Sequence, residues 1–279
     1  MTMSRHIHLD PVGGLAGDMF IAALLATCPE LTGQVMAEIA AALPDGIVAG
    51  LEPGTSGGLR VQRFRVTLPE QDHQPRHAHD HPHHHEDFRS IAERLKSAPL
   101  DNETRRHALA ILTRIAEAEA EVHGVPLDEV HFHELADWDS LADVVGAGAI
   151  IGALDGAGWS IGPLPLGGGL VRTAHGRLPV PAPATTLLLR GLPVTDDRIA
   201  GERVTPTGAA IAAHLSDGLL KPRPAQARMG STGMGAGTRD LPDRPNILRA
   251  FVLDVAEPPD DRTPSHAHRR TTHAERTKP

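Results

Sequence analysis

The sequence is poor in cysteine and in aromatic residues. Its 279 residues include one cysteine, Cys28, no tyrosine, two tryptophans and five phenylalanines. A single cysteine excludes a disulfide framework, a CxxC redox pair and a thiolate zinc site. Any bound metal must therefore be held by histidine, by carboxylates or by backbone oxygens. The shortage of rings predicts a core of alanine, leucine, valine and isoleucine, with few platforms for base stacking.

A basic surface pattern and a long apolar run are also missing. The formal net charge is -8, and the only locally basic stretch surrounds Arg269 and Arg270, so nucleic acid is not an expected partner. The longest uncharged apolar run, 144–154, is too short to span a bilayer, and residues 1–10 have no apolar signal core. We therefore expect a soluble, cytoplasmic protein without a membrane partner.

Local patterns predict an α/β fold with a mixed sheet and several helices. We expect one domain over 1–255, interrupted at 71–86 by a mobile histidine-rich loop, and a disordered tail over 256–279. The predicted strands are 6–10, 59–68, 225–232 and 246–254. The predicted helices are 18–26, 33–43, 87–97, 101–123 and 139–154, with a further helix after Pro181 and another after Pro206.

The histidine-rich loop is the most unusual feature of the composition. Seven of the 18 histidines fall within thirteen positions. Imidazole suits nickel, copper and zinc, so the loop indicates metal recruitment, whereas the alternative is a solvated spacer without a specific role. The candidate ligands are His73, His77, His79, His81, His83, His84 and His85.

A second metal-binding pattern lies in the segment VHFHELADWDSLAD. An extended start would place His131 and His133 on one side, and a helical end would place Asp139 and Asp143 one turn apart on one face. With Glu134, these side chains predict a site for a divalent metal. In the alternative interpretation Asp139 only caps the helix and the histidines are ordinary surface residues.

Glycine-rich segments indicate sites for a phosphorylated ligand. Runs of backbone N–H groups can form anion-binding nests, although glycine runs more often serve turn geometry, and the sequence has no Walker A loop or GxGxxG fingerprint. The candidate ligand-binding residues are Gly167, Gly168, Gly169, Thr205, Thr207, Gly233, Gly235, Gly237 and Thr238.

Three further residues have side chains suited to catalysis or to helix stabilisation. Asp10 ends a predicted strand, where functional carboxylates of α/β proteins are common, and His175 follows a glycine run. We interpret both as candidate catalytic residues, with a turn residue as the alternative for His175. Asp18 is interpreted as a complement to a helix N-terminal dipole.

Together these segments resemble the LarC-type nickel insertion proteins, in the order found in that family. The stretches that carry the resemblance are LDPVGGLAGDMFIAALL, the histidine-rich loop, VHFHELADWDSLADVVGA, PLPLGGGLVRTAHGRLPVPAPAT, VTPTGAA and GMGAGTRDLPDRPNILR. The resemblance implies a nickel chelatase of the lyase class, which inserts nickel into pyridinium-3,5-bisthiocarboxylic acid mononucleotide and makes the nickel-pincer cofactor of lactate racemase-type enzymes.

The resemblance also implies partners and a second reactant. In the family the reaction consumes CTP, bound with magnesium or manganese by a second portion whose place here is taken by the polar tail. We therefore expect a separate CTP-binding partner subunit and an acceptor apoenzyme. Two other functions stay open at this stage: a non-catalytic protein for nickel or zinc storage and delivery, and a nucleotide-dependent transferase.

Overall fold

The computed structural model describes residues 3–68, 87–132, 138–173 and 176–256. Its centre is a six-stranded mixed sheet. The strands are β1 (Met3–Asp10), β2 (Val48–Ser56), β3 (Leu59–Thr67), β4 (Gly158–Ile161), β9 (Arg228–Ala236) and β10 (Ile247–Ala256). Their order across the sheet is β2-β3-β9-β10-β1-β4. Two short pairs accompany the sheet: β5 (Leu164–Pro165) with β8 (Val194–Thr195), and β6 (Leu170–Thr173) with β7 (Gly176–Pro179).

Strand direction determines where a site can form. β1 pairs in parallel with β4, and β3 pairs in parallel with β9, whereas β10 is antiparallel to both β1 and β9. Therefore β1, β3, β4 and β9 all run the same way, and their carboxyl ends meet at one edge. In α/β sheets that edge is the usual place for ligands.

Helices pack on the sheet and on one another. They are α1 (Gly17–Thr27), α2 (Thr32–Ala42), α3 (Phe88–Ser97), α4 (Asn102–His123), α5 (Trp138–Ala153), α6 (Pro183–Leu188) and α7 (Pro206–Ser216). α5 lies between α1 and α4 and is buried on most of its faces. Gly146 and Gly148 permit this, because a Cβ at Gly146 would lie 2.5 Å from the Ile21 side chain and one at Gly148 would lie 2.8 Å from the Ala108 backbone.

The α/β class and the mixed sheet predicted from the sequence are confirmed, with most boundaries within two residues. Strands β2 and β4 were missed, and β9 extends four residues beyond the predicted end, to Ala236. Within the described ranges no single helix is long and apolar enough to cross a membrane; only the bent pair Gly17–Thr27 and Pro29–Ala42 reaches the required length and composition jointly. The predicted loop over 71–86 and the predicted tail over 256–279 lie outside the described residues, apart from Ala256, which ends β10.

Candidate functional site

The site begins with the loop that joins β1 to α1. Arg203 is buried, and its guanidinium donates to the carbonyls of Gly13 at 2.6 Å and Val12 at 3.3 Å. The same guanidinium forms an ion pair with Asp197 at 2.8 Å. Gly14 has a φ of 147°, and a Cβ there would overlap the Arg203 carbonyl. These contacts fix the loop and with it the first turn of α1.

Three aspartates meet at the N-terminal ends of α1 and α5. Asp18, Asp139 and Asp143 line a cavity of about 300 Å³, which Phe64, Arg65 and Val66 of β3 and Thr238 after β9 complete. The cavity therefore lies at the carboxyl edge of the parallel strands. Asp139 and Asp143 are one turn apart on α5, as their spacing predicted.

Burial and mutual repulsion raise the pKa values of two aspartates in this cluster. The pKa of Asp18 is raised to about 6, chiefly by burial and further by the charge of Asp139, although Arg63 and Arg65 act in the opposite direction. Burial and the charges of Asp18 and Asp139 raise the pKa of Asp143 well above its usual range. Carboxylates crowded in this way gain stability when a divalent cation replaces their protons.

The three aspartates alone do not provide a complete set of metal ligands. Among the described residues no group of three or more His, Cys, Asp or Glu side chains is arranged to hold a metal ion. His133 and Glu134 stand in the sequence between the buried Phe132 and the first residue of α5, and they lie outside the described residues. His131 is exposed, forms a backbone bridge with Asp87, and is not among the residues that line the cavity.

The expectation that glycines 233–237 form an exposed nest is wrong in its geometry. Gly233 and Gly235 lie inside β9 and pair with Ala250 and Leu248 of β10. A Cβ at Gly233 would lie 2.5 Å from the Thr27 hydroxyl, and one at Gly235 would overlap the Met19 carbonyl. These glycines let α1 approach the sheet closely. A Cβ at Gly237 would lie 2.8 Å from Asn246, and the ligand role of all three stays a prediction.

The other glycine run is also engaged by backbone contacts. Gly168 and Gly201 exchange N–H···O bonds of 3.4 and 2.7 Å, and the Gly169 carbonyl accepts from Val180 at 3.0 Å. Gly167 has a φ of 74°, and a Cβ there would overlap the Gly201 carbonyl. The N–H of Gly168 is therefore not available to a phosphate in this arrangement, and the predicted nest is corrected at that position.

The predicted threonines separate into two groups. Thr205 caps α7 by accepting from the Gly208 N–H at 3.2 Å, and Thr207 is buried in the first turn of that helix. Both positions are explained by helix formation. Thr238, in contrast, lies against the carboxylate cavity. The structure thus brings Thr238 together with Asp139 and Asp143.

Asp10 lies in a different place. Its carboxylate pairs with Arg249 on the neighbouring strand β10, with the Arg249 Nε 2.9 Å away, and both residues line a larger groove of about 860 Å³. Its predicted catalytic role stays a prediction. His175 and the seven histidines between His73 and His85 fall outside the described residues.

Sequence reasoning missed the contribution of Asp18. A carboxylate in the first turn of a helix is typical of a dipole interaction, and Asp18 does accept from the Met19 N–H at 2.7 Å. The additional signal was Gly17, since a Cβ there would overlap the Asp143 carboxyl. A glycine that opens a helix next to an aspartate indicates a close approach by another group.

The fold and cavity define an α/β protein with a carboxylate cluster at the ligand-binding edge of its sheet. The chain belongs to the nickel insertion protein family, whose model matches residues 7–277. No solved structure matches significantly.

Curated relatives agree with this assignment. A protein of Geobacter sulfurreducens is 45% identical over 251 residues, covering 89% of this chain and 61% of the relative. One of Citrifermentans bemidjiense is 42% identical, covering 90% and 62%. One of Myxococcus xanthus is 39% identical over 254 residues, covering 90% and 61%. Each carries the name "Putative nickel insertion protein". The chain spans about three fifths of the length of these relatives.

Proposed function

We propose that this chain handles nickel for insertion into pyridinium-3,5-bisthiocarboxylic acid mononucleotide, and so acts as a nickel chelatase of the lyase class. The observation that carries the proposal is the half-buried pair of Asp18 and Asp143, which share one cavity with Asp139 in a member of the nickel insertion family. Nickel is a substrate of this reaction. The proposal includes consumption of CTP with magnesium or manganese, a CTP-binding partner, an acceptor apoenzyme and a cytoplasmic location.

The chemistry of the ligands supports transfer. Carboxylate oxygens are hard ligands, whereas the two thiocarboxylate groups of the mononucleotide offer soft sulfur, which binds nickel more strongly. Asp18, Asp139 and Asp143 would hold nickel with His133 and Glu134 and then release it to sulfur. When the metal leaves, the raised pKa values of Asp18 and Asp143 favour return of their protons. The histidine-rich segment would recruit nickel before this step.

Nickel transfer tests the proposal directly. The nickel-loaded chain is mixed with the mononucleotide, with and without CTP and manganese, and with and without the portion of the Geobacter sulfurreducens relative outside the matched region. Mass spectrometry of the mononucleotide detects the transferred nickel. We expect transfer when all components are present. Asp143→Asn should abolish it, whereas the exposed Asp45→Asn should not.

A second variant separates recruitment from insertion. Deletion of residues 71–86 should lower the number of nickel ions bound per chain but leave the affinity of the aspartate site unchanged. Stoichiometric nickel binding without any transfer, with every component present, would instead identify a storage and delivery protein.

A further inference from the structure

A second ligand site is indicated on the opposite face of the sheet from α1. Along β1, Ile7 and Leu9 are fully buried in the main core, so His6, His8 and Asp10 project to the other side. There the strands form the floor of the groove of about 860 Å³, and the segment 220–229 forms a wall. The aspartate cavity is not part of this groove, because the two share no lining residue.

The charge of the groove is predominantly positive. Lys221, Arg223 and Arg249 line it, with Asp10 as the one carboxylate among its lining residues. Arg249 pairs with Asp10 and lies over the Phe251 ring at 5.1 Å. In the part of the chain that the structure describes, neither Lys221 nor Arg223 has an ion-pair partner. Two unpaired cations therefore face one groove, and they match a dianion.

A pre-arranged hydrogen-bonded group lies at the floor of the groove, where His8 and Ser160 belong to the lining and His6 contacts Ser160. The Ser160 hydroxyl lies 2.7 Å from His6 Nε2 and 2.8 Å from His8 Nδ1, and each of the three residues is less than 9% exposed. A hydroxyl donates one proton, so one imidazole accepts from Ser160 and the other donates to it. Burial lowers the pKa of both histidines, and the Arg223 and Arg249 charges lower that of His8 further.

The remaining lining is apolar. Phe251, Met229 and Leu253 line the groove beside the cations, and Met229 is 62% exposed. His8 stacks on Phe251 with their ring centroids 5.9 Å apart. A flat organic group could lie against this surface while an attached anion reaches Lys221 and Arg223. Exposed apolar surface rimmed by unpaired charge is typical of a ligand site.

We propose that this groove binds an organic phosphate monoester, with Lys221, Arg223 and Arg249 at the phosphate and Phe251 and Met229 at the organic group. The site goes beyond the proposed function, because binding there requires no nickel. If nickel is inserted into a mononucleotide as proposed above, that mononucleotide is a ligand of the required class. The phosphate then binds to side chains of the groove and not to a glycine nest.

Binding of nicotinamide mononucleotide to the metal-free full chain tests the site by calorimetry. The double variant Lys221→Gln/Arg223→Gln should bind about tenfold more weakly or worse, since charge-assisted hydrogen bonds to phosphate are lost. The control Arg60→Gln removes an exposed arginine of β3 and should leave the affinity unchanged. Thermal unfolding should be equal in all three proteins, because Lys221 and Arg223 are exposed.

Titrations with inorganic phosphate and with CTP show which phosphate compound the groove prefers. Inorganic phosphate should bind more weakly than the mononucleotide, because it lacks the organic group. The proposal would be overturned by equal affinity for inorganic phosphate and the mononucleotide, or by tighter binding of CTP than of the mononucleotide. An unchanged affinity for the mononucleotide in the double variant would also overturn it. Asp143→Asn should bind the mononucleotide normally, so failure of nickel transfer and failure of this groove are distinguishable.

Discussion

Gly17, the first residue of α1, lies directly against the Asp143 carboxyl of α5: a Cβ at Gly17 would overlap the carboxyl carbon and Oδ2 of Asp143. The N–H groups of a helix's first turn favour a nearby anion. Burial and the charges of Asp18 and Asp139 nevertheless outweigh this effect, since the pKa of Asp143 is raised. The contact therefore positions a carboxyl that readily holds either a proton or a cation.

Gly17→Ala should disrupt this contact. A Cβ at Gly17 would overlap the Asp143 carboxyl, so the side chain must move or α1 and α5 must separate. We expect the free energy of unfolding to fall by about 1–3 kcal/mol and nickel affinity to fall as well. Urea denaturation and nickel titration measure the two effects. Gly33→Ala is the matched control: nothing lies within 4 Å of that added Cβ, so the variant should be neutral or slightly stabilised.

Asp143→Asn should stabilise the protein while it removes nickel binding. An acid whose pKa is raised by folding costs stability when it is ionised, and the cost is complete only above the raised pKa. The variant should therefore be more stable than the parent at pH 7.5, and the gain should shrink as the pH falls towards 4. Asparagine has nearly the same shape as aspartate, so the packing against Gly17 is kept. An equal gain from Asp45→Asn, or a gain that does not depend on pH, would contradict this explanation.

The sequence predicted part of the site because helical periodicity is a local property. Asp139 and Asp143 follow the spacing of one helix turn, and the structure places both at one cavity. Asp18 lies 121 residues before Asp139 in the sequence, and its local context fitted a dipole role equally well. Its partnership with Asp143 depends on how α1 packs on α5, which no local pattern encodes.

The glycines show a second limit of sequence reasoning. Gly233 and Gly235 alternate along β9 because α1 lies against the strand, whereas a phosphate nest would also require small residues. A glycine is required wherever another group approaches the strand closely. Composition alone does not show whether that group is a helix backbone or a ligand. The larger groove was missed for a related reason, because Lys221, Arg223 and Arg249 are brought together by the pairing of β1 with β4 and β10.

Arg203→Leu should destabilise the fold strongly. The guanidinium is buried and bonds to Asp197 and to the carbonyls of Gly13 and Val12, all of which would lose a partner. We expect a loss of about 3–5 kcal/mol in the free energy of unfolding, measured by urea denaturation. Arg190→Leu provides the comparison, because its ion pair with Glu121 is exposed and should contribute less than about 1 kcal/mol. Similar losses in the two variants would refute the role of Arg203.

A buried histidine pair lies between α4 and α7. His107 Nδ1 lies 2.7 Å from His214 Nε2, and both side chains are less than 10% exposed. Burial, His107 and the nearby cations Arg114 and Arg106 lower the pKa of His214 to about 4, and burial lowers that of His107. The fold therefore holds both imidazoles neutral.

Because the unfolded chain binds a proton near pH 6.5 and the folded His214 only near pH 4, stability should fall as the pH drops between these values. The loss from His214 alone approaches about 3 kcal/mol at the acid end. Asp18 acts in the opposite direction over part of this range, since its pKa is raised to about 6.

The informative quantity is therefore the difference between the stability–pH profiles of the variant and of the parent. His107→Gln/His214→Gln should be less stable at pH 7.5 but lose less stability on acidification in urea denaturation, whereas the exposed His131→Gln should follow the parent. Parallel profiles for the double variant and the parent would show that the pair does not govern the acid sensitivity of the fold.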